Sequence, residues 1–110
     1  MLFLMSAEWS SAAVNALIQK PTDRSQAAKQ VVEAAGGKLV AWYGTGGGDR
    51  QGLMTIVDVP DGIAMQALYN TSRASGALES IRIQRLYTPD EMVEGFRKAQ
   101  SIQKSYEPPR

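Results

Sequence analysis

The chain has 110 residues, 44% of them apolar and 21% charged, and a formal net charge of +1. This is the size and make-up of one globular domain. The near-zero charge gives no strong field toward nucleic acid or an anionic membrane, so neither is expected as a partner. With no cysteine and no histidine, disulfides, thiolate nucleophiles, thiolate-held clusters and Ser-His-Asp or Cys-His mechanisms are excluded. The commonest metal ligand and general base is also missing, so no metal and no cofactor are expected.

In chain order, residues 2–9 are apolar on both faces and read as a central strand. The opening apolar run stops at Ser6, short of a signal peptide or a membrane span, and a cytoplasmic location is expected. Ser10 or Ser11 can cap a short helix bearing Ala13, Val14, Leu17 and Ile18, which Lys20-Pro21 interrupts. Asp23, with Gln26 as a capping-box partner, restarts a helix carrying Ala27, Ala28, Val31, Val32 and Ala35, and Gly36-Gly37 ends it.

Residues 38–43 form a strand with Leu39, Ala41 and Tyr43 on one face and Val40 and Trp42 on the other. Residues 44–52 hold five glycines and read as a loop. Residues 53–59 are the next strand. Pro60-Asp61-Gly62 closes it and caps a helix with Ile63, Ala64, Ala67 and Leu68 inward, ended near Gly76. In residues 79–87, Ile81, Ile83 and Tyr87 alternate with Arg82, Gln84 and Leu86. Thr88-Pro89-Asp90-Glu91 then gives an N-cap threonine, proline at N1 and a glutamate that caps back. Met92, Val93, Phe96, Ala99 and Ile102 follow as one helical stripe, and the tail from Tyr106 is extended.

The order β-α-β-β-α-β-α predicts an α+β, ferredoxin-like βαββαβ fold with a four-stranded antiparallel sheet and an added C-terminal helix. One domain is expected over residues 1–110: a core at 1–88, the last helix at 89–104 and a tail at 105–110. Strands two and three are apolar on both faces, so the sheet face away from the helices needs a cover. Pairing with a second copy supplies one, and a homodimer or an assembly of dimers is expected.

The stretch Gly36-Gly37-Lys38-Leu39, Trp42-Tyr43, Gly48-Asp49 and Ile56-Val57-Asp58-Val59-Pro60-Asp61 resembles the GYD domain family. So do Ser80-Ile81, Leu86, Thr88-Pro89-Asp90-Glu91 and the tail Tyr106-Glu107-Pro108-Pro109. The family is named for a Gly-Tyr-Asp motif at its central hairpin. The motif tyrosine is absent here, and Gly48-Asp49 stand near its place. The resemblance implies a ferredoxin-like domain assembling as a dimeric α/β barrel, and no settled activity.

Four residues are candidates for ligand contact: Trp42, Tyr43, Asp49 and Arg50. The glycine loop frees backbone amides for an anion beside Arg50. Yet it joins two strands and has no Gly-Lys-Ser/Thr continuation, so a plain hairpin loop competes with that reading. Trp9, Trp42 and Tyr43 can line a pocket for a small apolar or aromatic ligand, or fill a core or interface. Asp23, Asp58, Asp61, Asp90 and Glu91 match no metal-loop spacing, and three of them are explained as helix caps or first-turn acids. Arg73, Arg82 and Arg85 lack the aromatic run of an RNA-binding sheet. The sequence therefore points to a dimeric, non-catalytic binding or structural module. The alternative is a cofactor-independent enzyme of monooxygenase or isomerase type. It would act on a small apolar substrate between sheet and helices, with Asp49 or a tyrosine moving protons.

Overall fold

The computed structural model describes residues 1–46 and 51–109. The elements are β1 (Leu2–Trp9), α1 (Ser11–Gln19), α2 (Ser25–Ala34), β2 (Lys38–Thr45), β3 (Gly52–Asp58), α3 (Gly62–Ala74), β4 (Leu78–Leu86) and α4 (Pro89–Gln103). The strands form one antiparallel sheet in the order β2-β3-β1-β4. This is the expected α+β, ferredoxin-like arrangement, with α1 and α2 as the first helix broken at Lys20-Pro21.

Most helix starts follow the local chemistry. Ser10 accepts from the Ala13 N–H at 3.1 Å, and Asp61 from the Ala64 N–H at 2.8 Å. Thr88 and Glu91 form a complete capping box. The start of α2 differs from the expected Asp23–Gln26 box. Asp23 sits one residue too early, Arg24 takes the N-cap place with no side-chain cap, and the Asp23 carboxylate instead accepts from the Ser25 N–H and hydroxyl. At the other end Gly36 adopts φ of +80°, the left-handed conformation that closes a helix without a Cβ penalty.

The core lies between the sheet and helices α2 and α3. Met5 of β1 and Leu53 and Val57 of β3 meet Val32 of α2 and Met65 and Leu68 of α3. Inward on α3 are Ala64, Met65 and Leu68; Ile63 and Ala67, expected among them, are exposed, Ile63 at 79%, because the helix is turned so that Met65 takes the core position. β1 and β3 pair without interruption from Leu2–Asp58 to Glu8–Gly52. Their approach at that end requires a glycine: a Cβ on Gly52 would stand 1.8 Å from the Ala7 carbonyl oxygen.

Both outer strands carry an irregularity. On β2 the register shifts between Leu39 and Ala41, leaving Val40 as an extra residue. Leu39 and Trp42 therefore both pack on the core, while Ala41 and Tyr43 pair with Ile56 and Met54 on the other face. Strict alternation, which put Leu39 beside Ala41 and Tyr43, is corrected by this bulge. On β4 a matching shift lies opposite Ala7, where Ser80 takes φ of +51°, and Leu78 and Ile81 both face inward.

Helix α4 stands away from this body. Every residue of it except Glu91 is exposed, including Met92, Val93, Phe96 and Ile102. The radius of gyration is 17.8 Å, against about 13 Å for a compact chain of this length. Arg85 fastens the root of the helix: its Nη2 meets the Glu91 carboxylate at 3.2 Å, its Nη1 donates to the Leu86 carbonyl, and its guanidinium lies 4.6 Å from the centre of the Tyr87 ring.

Candidate functional site

Between the helix-facing side of the sheet and the pair α2 and α3 lies a half-open pocket of about 180 Å³. Its floor is the sheet: Met5 and Trp9 from β1, Trp42 from β2, and Leu53, Thr55 and Val57 from β3. One wall is the α2 face from Arg24 through Ala28 to Val32, and the other is Met65, Leu68, Thr71 and Ser72 of α3. The Val40 bulge is what brings Trp42 into this floor. Both tryptophans of the chain line the pocket.

Its polar groups are few and mostly satisfied from within. The Thr55 hydroxyl donates to the Ala41 carbonyl at 2.8 Å, Thr71 to the Ala67 carbonyl at 2.8 Å, and Ser75 to the Ser72 carbonyl at 2.7 Å. Such a lining accepts apolar surface and offers few fixed hydrogen bonds. Arg24 differs: it lines the pocket but makes no ion pair among the described residues. The neighbouring Asp23 carboxyl is held below its ordinary range by the Ser25 hydroxyl and N–H.

A family model, the GYD domain, matches residues 3–95. The chain belongs to the GYD domain family. None of the curated proteins compared with this GYD domain matches it. Within it, Trp42 lines the pocket, whereas Tyr43 is 63% exposed on the opposite face of the sheet. Asp49 and Arg50 lie outside the described residues, as do Gly47 and Gly48; Gly44 and Thr45, expected in the loop, belong to β2, and Gly52 belongs to β3. Sequence reasoning missed Arg24 and Ser72. Arg24 is one of 12 cationic side chains, and its pattern carries no signal; only the fold, which lays α2 and α3 on the same side of the sheet, sets it on the pocket. Among the described residues of this GYD domain, no group of three or more carboxylates is placed to hold a metal ion, and no helix is long and apolar enough to cross a membrane.

Proposed function

We propose that this GYD domain is a self-pairing binding module that takes a small apolar or aromatic ligand between its sheet and helices, without chemistry of its own. The observation that carries the reading is the pocket floored by Trp9 and Trp42. At about 180 Å³ it matches single-ring ligands, since an apolar cavity of about 150 Å³ accepts benzene. Binding is preferred to catalysis because the ionisable side chain on its described lining is Arg24, and arginine offers donors but no acceptor for a substrate proton. A cytoplasmic setting belongs to the same reading, as a chain without cysteine gives up no disulfide in a reducing compartment.

The partner in this reading is a second copy. The sheet face away from the helices presents Leu2 and Leu4 of β1, Met54 and Ile56 of β3, and Ala41 and Tyr43 of β2. Lys38 and Asp58 stand opposite each other at its margin. Two-fold pairing can set such charges against their opposites, and a net charge of +1 adds little repulsion. An apolar patch three strands wide and five residues long measures about 240 Å² from strand spacing and rise. The pair would then bury about 480 Å², below the roughly 1,200 Å² of a stable interface. The exposed stripe of α4 is the remaining apolar surface that can make up the difference.

The pocket reading is tested with benzyl alcohol, a neutral single-ring probe, followed by tryptophan emission and calorimetry. Emission is expected to move to shorter wavelength as water leaves the two indoles, and Ala28→Phe, which fills the pocket, is expected to abolish both signals. No heat and no spectral change up to the solubility limit of the probe would refute the pocket as a ligand site.

A further inference from the structure

Arg24 makes the pocket more selective than its apolar lining suggests. Arg24 is the N-cap residue of α2 and, though exposed, lines the pocket with Ala27, Ala28 and Val31 of the same helix. Three cationic groups of the fold have acids beside them: Lys29 has Glu33, Arg85 has Glu91 and the N-terminal ammonium has Asp58, whereas most other described lysines and arginines make no ion pair among the described residues and, unlike Arg24, do not line the pocket. Arg24 has none among the described residues. The nearest acid in sequence, Asp23, accepts two hydrogen bonds from Ser25, at 2.6 and 2.9 Å. The described lining of the pocket contains no carboxylate.

The facing wall adds a donor. Of the three hydroxyl residues that α3 and its end bring to the pocket, Thr71 and Ser75 donate to backbone carbonyls of their own turns. The Ser72 hydroxyl makes no hydrogen bond among the described residues, and Ser72 is half-buried. A purely apolar ligand would leave both the guanidinium fork and this hydroxyl to water.

We propose that the ligand is a ring-bearing carboxylate: an aromatic or alicyclic acid whose ring occupies the tryptophan-floored pocket and whose carboxylate is held by Arg24, with Ser72 as a second donor. The inference rests on the pocket reading above and names its ligand class. The size admits one ring with a short substituent. The fork of an arginine matches a carboxylate with two parallel hydrogen bonds, an attraction that solvent reduces to a modest worth at the exposed Arg24.

The test is a pair of probes of one shape and different charge, benzoate and benzamide, titrated into the full chain and followed by tryptophan emission and calorimetry. Benzoate is expected to bind about tenfold more tightly, the ordinary worth of one charge-assisted contact at a partly open site. Arg24→Gln is expected to bring the two affinities together by weakening benzoate alone. Arg24 is exposed and makes no ion pair among the described residues, so the circular dichroism of the variant should match the parent. Added salt should weaken benzoate and leave benzamide unchanged. If the parent binds both probes alike, or if Arg24→Gln leaves the preference for benzoate intact, the anionic class is overturned while the pocket reading stands. If neither probe gives heat or a change in emission, the pocket reading fails and takes this inference with it.

Discussion

Phe96 separates a paired chain from a solitary one. In the single chain its side chain is 67% exposed on α4 and has no core to lose. Phe96→Ala should therefore leave the stability of an isolated chain unchanged or slightly raised, since alanine is the better helix former. In a pair braced by α4 the same change removes apolar contact twice, once per copy. A phenylalanine offers about 200 Å², of which the exposed two-thirds is about 130 Å², worth about 3 kcal/mol at 25 cal/mol per Å². Alanine retains roughly a third of that, leaving a loss of about 2 kcal/mol per copy and about 4 kcal/mol per pair, or a dissociation constant raised about a thousandfold. Sedimentation equilibrium across nanomolar to millimolar chain, beside a denaturation curve at the lowest concentration, reads both quantities. A parent that stays at 11.9 kDa throughout, or a dissociation constant that Phe96→Ala does not move, would refute the claim that α4 and the open sheet face bury each other's apolar surface across two copies.

Three further outcomes test the fold itself. Thr88→Ala removes the side-chain half of the capping box on α4 and is expected to cost about 1 kcal/mol; an unchanged denaturation midpoint would mean that α4 melts independently of the sheet. Gly52→Ala forces a Cβ against the Ala7 carbonyl and should destabilise by at least about 3 kcal/mol, whereas Gly95→Ala, with open space around it, should stabilise by about 0.5–1 kcal/mol; thermal melts of the two variants should move in opposite directions. The Glu91 carboxyl is held below its ordinary value chiefly by the Thr88 N–H and also by Arg85. Its stabilisation is thus present above the unfolded carboxyl pKa and lost as pH falls through the folded one. The unfolding midpoint should drop on acidification, and Glu91→Gln should remove part of that drop.

The helix ends were legible wherever a short-range hydrogen bond decides them. Ser10, Asp61 and the Thr88–Glu91 box are set within four residues of chain, and the structure places them as expected. Strand faces were legible in the two inner strands, where pairing on both sides enforces alternation. They were not legible in β2, because an edge strand can hold an extra residue, and nothing in Leu39-Val40-Ala41 marks Val40 as that residue. The cost was specific: alternation alone puts Leu39 and Trp42 on opposite faces, and the bulge puts both on the core. The rotation of α3 was missed for a similar reason, as Ile63 and Met65 are equally apolar and only packing chooses between them. The aromatic half of the pocket could be suspected from Trp9 and Trp42. Its charged rim could not, since Arg24 and Ser72 are 48 positions apart in sequence and share only the lining of the pocket.

The bulges at Val40 and Ser80 fall on the two strands that each have one free edge. A straight, regular edge offers an unbroken ladder of amides and carbonyls to any passing strand, and sheets that keep such edges tend to grow without limit. An extra residue interrupts that ladder and increases the local twist. In this domain both flanks are blunted in this way, while the inner pair β1 and β3 runs straight. Lateral addition of strands is thereby discouraged on either side. The broad face is left as the open apolar surface of the sheet, so the Val40 bulge that brings Trp42 to the pocket and the Ser80 bulge on the other flank both guard the chain against fibrous growth.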